Sequence, residues 1–212
     1  FPPSENVPEK FEVCIIEFED RFFRWHPGVN PFAVARAARD NITSGKVVSG
    51  ASTITMQVAR MSRQKERTLW QKMLEAILAT RMELRYSKDE ILALYAAHAP
   101  FGGNVVGIEA AAWRYFSRSA EDLSWSEAAT LAVLPNAPSA MHPGKNREAL
   151  KLKRDRLLER LCSKGVIDSV TFALACEEPL PDSPLPLPQH AEHLTDRIHL
   201  EHKGEHIETS IS

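Results

Sequence analysis

Apolar residues recur at spacings of three and four along most of the chain, and no segment before the last ten residues shows the period-two alternation of a half-buried strand. Phe11, Cys14, Ile15, Phe18 and Phe22 carry this rhythm between Pro8 and Trp25 and predict a first helix there. Asn30-Pro31 reads as a cap residue followed by proline at the first helical position, opening a helix to about Asn41. The stretch 42–51 holds Gly45, Gly50 and small polar residues and is expected to be a loop. Further helices are expected from about Ser52 and from about Arg67 to Arg85. Ser87 and Glu90 form a capping box ahead of another, Ile91 to Ala97. After the Phe101–Asn104 turn come helices over Gly107–Phe116, Ser126–Val133 and Asn146–Lys164, the last stopped by Gly165. The expected fold is mainly α.

Five prolines between Pro179 and Pro188 read as an extended linker, so the chain divides into a domain over 1–178 and a linker segment over 179–212. His206 to Ser212 reads as a short strand opening a further domain. The histidines at 190, 193, 199, 202 and 206 lack a tight i, i+4 pair backed by a carboxylate, and suit a solvated amphipathic helix better than a metal site.

At 212 residues with 26 basic and 28 acidic side chains, the chain is long enough for one sizeable core and has no bulk positive charge, so nucleic acid is not an expected partner. An anionic ligand must instead meet a local cluster of Arg and Lys. No apolar run approaches the ~20 residues needed to span a bilayer. Cys14, Cys162 and Cys176 have no metal-ligand spacing and read as small buried hydrophobes.

One carboxylate stands out on the first helix. Extended as a wheel to Trp25, it places Glu19 between Ile15 and Phe22 on one side and Ile16 and Phe23 on the other, while Asp20 joins Glu17, Arg21 and Arg24 on the polar side. An apolar flank raises a carboxyl pKa and suits a general acid or base; pairing with a buried Arg explains the same placement.

The run Glu19-Asp20-x-x-Phe23-x-x-His26-x-Gly28 resembles the first motif of glycosyltransferase family 51, the peptidoglycan glycosyltransferase domains of class A penicillin-binding proteins. Gly50-Ala51-Ser52-Thr53-Ile54-Thr55-Met56-Gln57, Gln71-Lys72-Met73-Leu74-Glu75, Tyr95 to Asn104 and Leu131 to Ser139 resemble the four later motifs, in the family's order. Thr-Met-Gln-Val-Ala-Arg together with Ala-Pro-Phe-Gly-Gly-Asn is similar to the 1C type of that class. Ala51, Met56 and Gln71 stand where the family carries Gly, Gln and Arg, and Ala97 stands near its usual Asn.

The resemblance implies a lysozyme-like helical head with a smaller membrane-contacting jaw lobe; Phe32 and Val34 are candidates for that lobe, with ordinary core packing at least an equal reading. It implies polymerisation of lipid II onto a lipid-linked glycan chain, with Glu19 as general base and Glu75 as a second cleft carboxylate. For Glu75, an ordinary ion pair with Lys72 remains an equal reading. Arg36, Arg60, Arg67 and Lys72 are implied as phosphate contacts, and Ser52, Thr53, Thr55 and Gln57 as hydroxyl and amide contacts near a helix N-terminus. Asp20, Phe23, His26 and Gly28 are implied to shape the motif, with His26 fixing the turn. A divalent cation (Mg or Mn) at Glu75 is compatible with the resemblance, and no organic cofactor is expected. The implied setting is the outer side of the bacterial inner membrane, with the membrane surface and other cell-wall synthesis proteins as partners. The competing readings are a lysozyme-like hydrolase of the same polymer and an inactive precursor-binding scaffold.

Overall fold

The structure, a computed structural model, describes residues 7–44, 52–63, 68–102, 104–136, 146–182 and 184–185. Among these residues the fold is helical: α1 (Glu9–Glu19), α2 (Pro31–Ser44), α3 (Ile54–Met61), α4 (Leu69–Glu83), α5 (Lys88–His98), α6 (Ile108–Phe116), α7 (Trp125–Val133), α8 (Arg147–Ser163) and α9 (Ser169–Glu177). The only β feature among them is a single antiparallel bridge, Pro100 to Val106, across the expected turn. No helix of the described residues is long and apolar enough to cross a membrane.

The core is built around α7, buried continuously from Ser126 to Val133. Its small residues Ala128, Ala129 and Ala132 let α1 lie along one side and α8 along another. From α1 come Phe11, Cys14 and Ile15; from α8 come Leu150, Leu157, Leu158 and Leu161. A second packing unit places α3 against both α4 and α5. The site lies where the end of α1 meets this second unit.

Helix ends follow local chemistry. The Ser87–Glu90 capping box is present in full, and a second one, Ser124–Glu127, starts α7. Thr53 and Thr68 cap α3 and α4 by accepting from Met56 N and Gln71 N. Three differences from the sequence reading stand out. The first helix stops at Glu19 instead of reaching Trp25, because Asp20 leaves helical geometry (φ −156°, ψ 77°) and the chain turns. The second runs on to Ser44. Helix α9 has no apolar periodicity to reveal it, and is started by Asp168 accepting from Thr171 N at 2.6 Å. The rest of the Ile42–Ala51 stretch and most of the tail, with its histidines and expected strand, lie outside the described residues.

One buried cation fastens the C-terminal helices. Arg154 on α8 is 0% exposed, and its guanidinium donates to Ser126 Oγ on α7 (3.1 Å), the Glu178 and Cys176 carbonyls at the end of α9 (2.7 and 3.1 Å) and Asp155 (2.8 Å). Truncating it leaves several buried acceptors unpaired. Arg154→Met is expected to cost about 3 kcal/mol of unfolding free energy, against a few tenths for exposed Arg156→Met, as measured by urea denaturation.

Candidate active site

The geometry begins at Asp20. Its backbone N–H donates to Ile16 O (3.0 Å), closing α1, and Phe23 N and Trp25 N donate to Asp20 O and Phe22 O in the turns that follow. The wheel placed Asp20 and Glu17 on the polar side, yet both are buried, because the chain turns away from the helix axis at Asp20 and α8 covers Glu17. Asp20 Oδ2 accepts from His26 Nε2 at 2.8 Å and from Ile54 N at 3.3 Å. Ile54 opens α3, so this carboxylate meets an unsatisfied N–H at the positive end of a helix. His26 fixes the turn, as expected.

Thr53 ties the same two segments again: its hydroxyl donates to Gly28 O at 2.6 Å while accepting from Met56 N at 3.1 Å. Gly28 has φ +86°, and a Cβ there would lie 2.7 Å from the Ala79 carbonyl group of α4. Phe23 is fully buried beneath Lys88, whose ammonium lies 4.5 Å from the ring centroid. Lys88 also donates to His26 O and to Glu83 Oε1, each at 2.7 Å. Thr55, buried, donates to the same Glu83 oxygen at 2.6 Å. The hydroxyls of Thr53 and Thr55 are thus engaged in holding α3 against its neighbours.

Glu19, next to this anchored turn, receives a hydrogen bond from Gln57 Nε2 at 2.7 Å. It lines a cavity of about 460 Å³ together with Arg21, Arg36, Ser52, Thr53 and Arg160. The apolar flank read from the wheel is only half realised: Phe23 is buried in the turn, but Phe22 is 55% exposed, since neither continues the helix. Beneath the site Tyr95 is fully buried, and burial first and the Glu19 charge second push its hydroxyl well above the usual tyrosine range.

Glu75 faces α3, where Arg60 Nε reaches its Oε1 at 3.1 Å. Arg60 also donates to Ser52 Oγ at 3.2 Å, linking this pair to the cavity wall. The cation that meets Glu75 is therefore Arg60, 15 residues away, and not Lys72. The opposite face of α4 carries Trp70, Met73 and Ile77, all more than half exposed. Lys72 is half-buried on α4 and does not line the cavity, and Arg67 lies outside the described residues. Sequence reading missed Glu83, Lys88 and Arg160, whose contacts run between helices, and Arg21, which lines the cavity and pairs with Glu17 four residues earlier.

Comparisons with known proteins place the chain in a family. A family profile described as Transglycosylase matches residues 1–162. Penicillin-binding protein 1C of Escherichia coli (strain K12) is 42% identical over 207 residues, 98% of this chain and 27% of that protein. Penicillin-binding protein 1A of Aquifex aeolicus (strain VF5) is 37% identical over 177 residues, 83% of this chain and 24% of its own length. The crystal structure of penicillin-binding protein 1A from Haemophilus influenzae aligns with 69% of this chain and 19% of its own, at 26% identity and a TM-score of 0.44. The chain spans about a quarter of the length of the relatives it matches.

Gly28→Ala introduces both a positive-φ alanine and an overlap with the α4 backbone. It is expected to cost about 3 kcal/mol, read as a lower urea midpoint, whereas Gly165→Ala, with φ +71° and open space around its Cβ, should cost about 1 kcal/mol.

Proposed function

The chain belongs to the transglycosylase family, and from that premise we propose that it polymerises lipid II into β-1,4 glycan strands with Glu19 as the general base. The observation that carries the reading is the Glu19 carboxylate, fixed by Gln57 and by the anchored turn beside it, in the wall of a cavity that also presents Arg36 and Ser52.

An acceptor sugar hydroxyl is a poor nucleophile at neutral pH, so a carboxylate within hydrogen-bond reach must take its proton as the new bond forms. The hydroxyl oxygen attacks the donor's anomeric carbon, the bond from that carbon to the lipid pyrophosphate breaks, and its electron pair leaves with the pyrophosphate. A single displacement inverts the anomeric centre and needs no covalent sugar on the protein. Charge that develops on the leaving group calls for fixed cations and donors. Arg36, which lines the cavity, and Arg60, held by Glu75 and donating to Ser52 on the cavity wall, are placed for this; Lys72 and Arg67 are candidates through the motif resemblance alone. Glu75 in this scheme orients Arg60.

A divalent cation finds little support at Glu75. That carboxylate is already bridged to Arg60, and among the described residues no three His, Cys, Asp or Glu side chains converge to hold a metal. No step is assigned to a cation.

A membrane-facing lobe fits the exposed apolar surface. Trp25 and Phe32 are strongly exposed, Phe22 and Phe32 line the mouth of the Glu19 cavity, and α4 adds Trp70, Met73 and Ile77. A polyprenyl-linked substrate needs its reactive end close to the bilayer, and such a surface would keep it there. The outer face of the inner membrane and contact with other cell-wall synthesis proteins complete the proposed setting.

Glu19→Gln is expected to slow glycan formation from lipid II by about 10²- to 10⁴-fold with the circular dichroism spectrum unchanged. Polymerisation within tenfold of the wild type would remove Glu19 from the chemistry. Release of fragments from finished glycan, without chain growth from lipid II, would establish hydrolysis instead. Gln57→Leu, which removes the Gln57 hydrogen bond to Glu19, should lower kcat by about tenfold with KM little changed.

A further inference from the structure

Lysine is an unfavourable residue for the place where Lys88 stands. It occupies the first helical position of α5, at the positive end of the helix dipole, where the neighbouring Asp89 and Glu90 are better suited. Its side chain is only 19% exposed, so water does little to relieve the mismatch. The partners of the ammonium lie outside α5. They are His26 O in the turn after α1 and Glu83 Oε1 on α4, each at 2.7 Å, and the face of the Phe23 ring, 4.5 Å from its centroid.

Glu83 carries the link onward. Its side chain is 8% exposed, and the same Oε1 accepts from Thr55 Oγ1 on α3 at 2.6 Å. One ion pair thus joins the turn, α3, α4 and α5. A buried carboxylate shared by two donors holds both closely, because a donor that lets go leaves charge short of a partner.

The ends of this bridge bracket the base. The turn that Lys88 grips begins at Asp20, directly after Glu19. Thr55 lies two residues before Gln57, whose Nε2 donates to Glu19 at 2.7 Å. Asp20 and Thr53 pin the start of α3 to the turn, and Glu83 adds a hold from α4 and α5. Phe23, His26, Thr55, Glu83 and Lys88 do not line the Glu19 cavity, so the bridge touches the geometry of the base and not a ligand in that cavity. Proton transfer to a carboxylate is sensitive to displacements of about 1 Å.

We propose that Lys88, acting through Glu83, is a positioning residue for Glu19: it holds the turn and α3 in the register at which Gln57 meets the base. The role rests on the glycosyltransferase reading for its kinetic consequence, while the placement of Gln57 can be followed without turnover.

The test compares the wild-type chain with Lys88→Met, which keeps an apolar stem and removes the charge. With lipid II, kcat should fall about tenfold and KM stay within about twofold. Combined with Gln57→Leu, the loss should stay within about threefold of the larger single loss, since both substitutions act on one hydrogen bond. The Gln57 side-chain amide signals in nitrogen–proton NMR spectra, identified by their absence in Gln57→Leu, should move in Lys88→Met towards their position in Glu19→Ala. A purely structural ion pair predicts a lower melting temperature with kcat and the amide signals unchanged, and that outcome overturns the role. A double variant whose loss is the product of the two single losses also overturns it, because Lys88 then acts by another route. If Lys88→Met fails to fold, Glu83→Gln, which keeps the side chain's size and an acceptor for Thr55, carries the same comparisons with kcat about threefold lower. A wild-type chain that grows no glycan from lipid II refutes the glycosyltransferase reading alone, and the amide signals still decide the positioning role. Glycan growth with unmoved amide signals in Lys88→Met refutes the positioning role alone.

Discussion

A buried carboxylate with two backbone-fixed obligations organises the site. Asp20 closes α1 through its own N–H, holds His26 across the turn, and accepts from the first N–H of α3. Water cannot replace these bonds at a buried oxygen, so the end of α1, the turn and the start of α3 keep one relative position. Glu19 immediately precedes Asp20, and Gln57 sits one turn into the helix that Asp20 receives. The Gln57–Glu19 hydrogen bond is therefore a consequence of the Asp20 anchor as much as of its own partners. Thr53 repeats the connection through Gly28 O, and Lys88 closes it from α5 by reaching His26 O.

Departures from the family's motifs read differently once placed in this frame. Met56, where the family carries Gln, is buried within the helical core and does not line the cavity, so its lost polarity is a matter of packing. Gln71 lies on the first turn of α4, where its backbone N–H meets the Thr68 cap. Ala97 leaves its carbonyl against Gly107, at a position where a Cβ would come within 2.8 Å. None of these three residues lines the Glu19 cavity.

Much of the fold was legible because helix caps and apolar spacing are local. Ser87 with Glu90, Asn30 with Pro31, and Gly165 after α8 each act within one turn of chain. Helix α9 was not legible, since a run apolar on every side has no period to detect. In the site, Glu19 and the shaping roles of His26 and Gly28 were read through the motif resemblance, while the wheel was misled because the helix ends at Glu19 itself. Glu83, Lys88 and Arg160 could not be read at all, because each acquires its role from a partner elsewhere in the fold. The inward aim of Glu75 and the outward aim of Trp70 and Met73 belong to the same class: a wheel gives opposite faces but not which one meets the protein.

That last arrangement makes α4 an inverted helix, with its ionic side turned to Arg60 and its oily side turned away from the core. For such an element water is the poorer of two solvents, and folding alone does not relieve the mismatch. Detergent should collect on that face as a partial collar, enlarging the particle's hydrodynamic size while leaving the helical core unchanged. The protein's colloidal behaviour is thus shaped in part by side chains on one helix that lie mostly outside the core.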